Sequence, residues 1–107
     1  MIKTSEELKD FIVAALDNKK AESINVIELG NKTSLAKYMI FATGRSAKNI
    51  SAIADYITLE IKHHSNVRTI IEGLGSADWV LIDAGDVIVH LFHPEARERY
   101  KLEELWG

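Results

Sequence analysis

The 107-residue chain has no cysteine, a single proline and no positive charge excess: its formal net charge is −3 at pH 7. Without cysteine there are no disulfides and no thiolate metal sites, which suits a reducing cytoplasm. No apolar run approaches the roughly 20 residues a membrane span needs. The first ten residues are polar and acidic, unlike a signal or transit peptide. The slight negative charge argues against binding driven by general attraction to nucleic-acid phosphates. Lys32, Lys37, Arg45 and Lys48 lie close in sequence and read as a solvated loop rim. The length fits one domain, residues 1–107, with one core.

Apolar spacing predicts the elements. A helix is expected from Ser5 to Lys19, with Thr4 and Glu7 as a capping box and Leu8, Phe11, Ile12, Ala15 and Leu16 as its buried stripe. A second should start at Ser46 and run to His64, burying Ile50, Ile53, Ala54, Ile57 and Ile61. Strands are expected at Ile24–Leu29, covered on both sides over part of its length, at Tyr38–Thr43 and at Val67–Glu72, with Gly73, Gly75 and Ser76 marking a loop. Pro94 can open a short helix over Glu95–Arg99. The order α-β-β-α-β-β-β-α implies an α/β (α+β) fold: a mixed five-stranded sheet with helices packed on it.

Trp79–Asp83 and Asp86–Phe92 read as a β-hairpin closed by Ala84-Gly85, with Trp79 opposite His90, Leu81 opposite Ile88 and Asp83 opposite Asp86. Alternation gives this hairpin two faces. Val80, Ile82, Val87, Val89 and Leu91 form an aliphatic face that belongs against the helices. Trp79, Leu81, Asp83, Asp86, Ile88, His90 and Phe92 form the other. That second face is expected to be at least partly open, and an exposed apolar patch with a polar rim marks a protein-binding surface. The competing arrangement folds the tail, Tyr100–Trp106, back over it. The Leu105-Trp106 pair near the end of the sequence suggests that the last residues are docked, on their own sheet, on a second copy of the chain or on a partner.

Catalytic readings are weaker. Asp83 and Asp86 resemble a metal-binding carboxylate pair, but their three-residue spacing around a turn suits turn chemistry better. His90 and His93 point to opposite faces and are poor zinc co-ligands; His90 beside Trp79 reads better as a stacking and hydrogen-bonding neighbour in a binding face. Ala42–Ser46 leads a strand into a helix N-terminus but lacks a phosphate-loop fingerprint. No nucleophile–base set can be assembled, so neither an enzyme nor a cofactor is expected.

Three blocks are familiar together: Ala42-Thr43-Gly44-Arg45-Ser46, then Ala77-Asp78-Trp79 through Asp86-Val87-Ile88-Val89-His90, then Arg97-Glu98-Arg99-Tyr100 through Leu105-Trp106. They resemble the ribosomal silencing factor family, RsfS, also called Iojap-like, over nearly the whole chain. The resemblance implies a nucleotidyltransferase-like core without catalytic acids. It implies binding to the large ribosomal subunit through its fourteenth ribosomal protein, a block on subunit joining that lowers translation when nutrients are scarce, and a homodimer when free. It maps the partner-binding surface onto Trp79, His90, Pro94 and Tyr100, with Arg97 beside them. A nucleotidyltransferase-like enzyme and a purely oligomerising scaffold are the rival readings.

Overall fold

A computed structural model describes residues 1–73 and 78–106; the expected loop glycine Gly75, and Ser76, lie outside the described residues. The elements are α1 (Ser5–Asn18), β1 (Glu22–Glu28), β2 (Tyr38–Thr43), α2 (Ala47–His64), β3 (Ile70–Glu72), β4 (Trp79–Asp83), β5 (Val87–Phe92), α3 (Pro94–Tyr100) and α4 (Glu103–Trp106). Both long helices start as their sequences dictate. Thr4 Oγ1 accepts the Glu7 amide while the Glu7 carboxylate accepts the Thr4 amide. Ser46 Oγ accepts the Asn49 amide. Each bond satisfies an amide that the first helical turn leaves without a partner.

The five strands lie in the order β1-β2-β5-β4-β3, with β2 and β5 parallel and the other neighbours antiparallel. The expected mixed sheet is therefore present. Helices α1 and α2 pack on one face, where Ile12, Leu16, Ile50, Ile57 and Ile61 meet Ile40, Val80, Ile82, Val89 and Leu91. Burying each isoleucine of α2 fully stabilises the fold by about 1.5–3 kcal/mol before entropy is counted.

The central strand β5 is buried along its whole length, so something must cover the second face as well. That cover is the C-terminal tail. Ala96, Leu102 and Trp106 pack on Phe41, Ile88 and Phe92, so the tail does dock, and the competing arrangement holds over part of the face. Strand β1 departs from expectation in the other direction. It begins at Glu22, carries a bulge between Glu22 and Asn25, and buries none of its residues fully, because it forms the edge of the sheet.

The hairpin pairs Trp79 with Phe92, Leu81 with His90 and Asp83 with Ile88. Each partner is two residues further along than the sequence reading placed it. The cause is the turn: Ala84 and Val87 close it (N–H to carbonyl, 2.9 Å), leaving Gly85-Asp86 as the two-residue connection. Gly85 has φ +81, as the first position of a type II′ turn requires. A slip of two keeps every side chain on its face, so the division into faces survives.

Candidate partner-binding face

The second face is built around a pile of rings. The imidazole of His90 stacks on Phe41, with centroids 4.8 Å apart and planes 10° from parallel. The Trp79 indole lies against His90 at 5.8 Å and against Phe92 at 5.6 Å. Tyr100, arriving from α3, tilts onto the indole at 5.5 Å. Each such contact contributes about 0.5–1.5 kcal/mol beyond the area it buries. The pile orders Trp79 by packing.

A hydrogen bond completes the ordering. Trp79 Nε1–H donates to His90 Nδ1 at 3.0 Å. Accepting there places the imidazole proton on Nε2. His90 is only 5% exposed, because β5 runs between β2 and β4 and a ring lies on either side of it. Its Nε2 has no hydrogen-bond partner among the described residues. His90, which the family resemblance assigns to the partner-binding surface, thus lies largely buried beside the indole. It acts as a positioning residue that holds the indole.

Burial pushes the His90 imidazole down to about 4 from its ordinary 6.5. In the unfolded chain it takes up a proton below about pH 6.5, and in the native state only near pH 4. The stability it carries is complete above pH 6.5 and is lost as the pH falls from there to about 4, roughly 3 kcal/mol in all. Urea unfolding at pH 7 and pH 4.5 should show this loss. His90→Gln keeps an acceptor for the indole but does not titrate, so it should flatten the dependence. An equal acid loss in His90→Gln would place the sensitivity elsewhere.

The remaining assigned residues divide into two groups. Trp79 is half-buried and Tyr100 is 45% exposed. With Glu72, Gly73, Asp78 and Leu81 they line a groove of about 440 Å³. Gly73 has φ +93, and a Cβ there would collide with the Trp79 carbonyl oxygen, so only glycine lets the end of β3 lie this close to β4. Pro94 and Arg97 instead line a separate hollow of about 480 Å³ that also includes Thr43 and Glu103. Glu72 and Asp78 were missed by the sequence reading, although Asp78 stands beside Trp79 in the most specific block.

Arg97 is occupied internally. Its guanidinium donates to both Glu103 carboxylate oxygens (2.7 and 3.0 Å), to the Ser23 carbonyl (2.7 Å) and to Thr43 Oγ1 (2.8 Å). The side chain is 16% exposed. Asn25 Nδ2 adds a bond to Glu103 at 2.7 Å. The Arg97 hydrogen bond, with that of Asn25, holds the Glu103 carboxyl below its ordinary value. Arg97 thus clasps the tail to the bulge of β1. Arg97→Ala should free residues 101–106 at a cost of about 2 kcal/mol, roughly a thirty-fold faster amide exchange there. Unchanged exchange would show that the tail is held by apolar packing alone.

The acids considered for catalysis hold the hairpin turn and the start of α1. Asp83 Oδ1 accepts the Gly85 amide at 2.9 Å, and Asp86 Oδ2 accepts Ser5 Oγ–H at 2.6 Å. In the observed register the two acids are not opposed. The Arg45 amide donates to Asn49 Oδ1, and the Gly44 amide donates to the Phe92 carbonyl. The expected turn and helix cap therefore account for Ala42–Ser46. Among the described residues no cluster of three histidine or acidic side chains could hold a metal ion.

Residues 2–107 match the family model described as "Ribosomal silencing factor during starvation". The Ribosomal silencing factor RsfS of Zymomonas mobilis is 45% identical over 102 residues, which cover 95% of this chain and 77% of that protein. The mouse Mitochondrial assembly of ribosomal large subunit protein 1 is 33% identical over 100 residues, 91% of this chain and 44% of that protein. A crystal structure of a Chromobacterium violaceum protein, 36% identical, superimposes with a TM-score of 0.93 over 98% of this chain and 88% of that one. By these likenesses the chain belongs to the ribosomal silencing factor family, RsfS, a family of regulatory proteins rather than enzymes.

Proposed function

We propose that this protein binds the large ribosomal subunit through that subunit's fourteenth ribosomal protein and keeps the small subunit from joining, repressing translation when nutrients are limiting. It acts as one domain in the cytoplasm, as a homodimer when free, without a cofactor and without reading nucleic-acid sequence. Family membership supports the ribosomal target, and the name of the mouse relative points to the large subunit.

One observation carries the assignment of the surface. The Trp79 N–H is already satisfied by His90, so the half-buried indole turns only its apolar ring outward. A ring held in place loses little entropy on binding and makes a dry contact, as interface anchors do. The groove alone is small beside the roughly 800 Å² per partner that a stable interface buries. The contact therefore continues along α3, past Pro94 and the hollow beside Arg97. Inhibition is steric and needs affinity and bulk but no bond making.

The test is sedimentation of purified ribosomal subunits with and without the protein. It should travel with large subunits and reduce the joined particle when small subunits are added. Absence from the large-subunit fraction, or normal joining with the protein bound, would overturn the reading.

A further inference from the structure

The groove beside Trp79 has a charged rim that an apolar contact does not use. Glu72 ends β3 and Asp78 directly precedes β4, and both are exposed. Each lines the groove of about 440 Å³ whose apolar lining is Trp79, Leu81 and Tyr100. Gly73 follows Glu72 and Trp79 follows Asp78, so the close approach of Gly73 to the Trp79 carbonyl holds the two acids at one groove. Neither carboxylate is engaged. Among the described residues the ion pairs are Lys9 with Asp10 and Arg97 with Glu103, and no side-chain hydrogen bond reaches Glu72 or Asp78. Asp83, Asp86 and Glu103, by contrast, each hold a bond that shapes the fold. Arg99 lies over the Tyr100 ring at 5.8 Å but does not line the groove.

Two unpaired negative charges beside aromatic rings fit one chemistry. A cation is drawn by the carboxylates and also by the face of an indole or phenol ring within about 6 Å. The aliphatic stem of an arginine or lysine packs on apolar lining such as Leu81. An acidic or neutral group gains neither charge interaction. Charge also selects the kind of partner. The chain carries a net charge of −3, so ribosomal RNA repels it. A protein seated on RNA neutralises phosphates with lysine and arginine. Its basic side chains are the part of a ribosome that complements this rim.

We infer that Glu72 and Asp78 clamp a basic side chain of the ribosomal protein partner, which enters the groove beside Trp79 with its charge held by the two carboxylates. The inference rests on the proposed ribosomal target and names the chemistry that the target presents. The ring pile supplies a dry contact with little preference among apolar groups. The two acids add the preference: they favour a basic side chain and reject an acidic one.

Co-sedimentation with purified large subunits over a range of protein concentrations tests this. Glu72→Gln and Asp78→Asn keep the side-chain size at exposed, unbonded positions, so circular dichroism and melting temperature should not change. Each should weaken binding by roughly ten-fold, and the two together by more. The direction of the effect is the decisive reading. Removing negative charge from a protein that approaches RNA lessens repulsion. Asp55→Asn, at an exposed position on α2, should therefore bind as the wild type does or slightly more tightly. Added salt should narrow the gap between the wild type and the groove variants, because it screens exposed charge pairs. A merely structural role would not respond to salt in this way. A wild type absent from the large-subunit fraction would overturn the ribosomal reading and this inference with it. A wild type that binds, with groove variants binding as tightly or more tightly, would overturn the clamp and leave the ribosomal reading standing. A gap that salt leaves unchanged would do the same.

Discussion

Trp79→Ala should abolish co-sedimentation with large ribosomal subunits while the chain still folds. Removing an aromatic anchor at the centre of an interface typically costs 2 kcal/mol or more, roughly a thirty-fold or greater loss of affinity. The indole is half-buried and lies outside the aliphatic core under α1 and α2, so the fold should survive with reduced stability. Truncation also leaves His90 Nδ1 without its donor. Trp79→Phe separates the two effects. It keeps most of the ring contact but cannot donate to His90, so it should bind more weakly than wild type and more strongly than alanine. If Trp79→Ala still travels with large subunits at the wild-type level, the recognition surface lies elsewhere on the molecule.

Phe92→Ala should cost about 3–5 kcal/mol of stability, the range for truncating a buried phenylalanine. Phe92 is 1% exposed, pairs with Trp79 across the hairpin and stacks on it. For a chain of this size the melting temperature should fall by roughly 10–30 °C. The cavity would open directly beneath the indole, so partner binding should weaken even at a temperature where the variant remains folded. Thermal unfolding and large-subunit sedimentation of the same sample measure both effects. A melting temperature within a few degrees of wild type would mean that the tail, and not the ring pile, carries the second face.

His90 and Arg97 show where sequence reading stops. The expected stack and hydrogen bond between His90 and Trp79 are present, but the depth of His90 and the internal partners of Arg97 were not legible. His90 is buried because β5 is a central strand with Phe41 and Trp79 on either side. Arg97 is spent on Glu103, Ser23 and Thr43, residues far from it in the chain or in a tail with no apolar periodicity of its own. Strand alternation tells which residues share a face, but not whether that face is an edge or a centre, nor what returns to cover it.

By itself the sequence determined the two long helices and their N-caps, the short helix after Pro94, the strands to within a few residues, the division of the hairpin into faces and the family. These are local properties: side-chain periodicity, capping hydrogen bonds and turn residues act over a few positions and need no knowledge of the rest of the chain. Only the tertiary structure decided the strand order, the two-residue shift in hairpin register and the docking of the tail. It also decided that Trp79 and Tyr100 share one groove while Pro94 and Arg97 share another hollow. Those outcomes depend on contacts between residues distant in the chain, whose energies are settled by which faces are covered once the whole sheet has assembled.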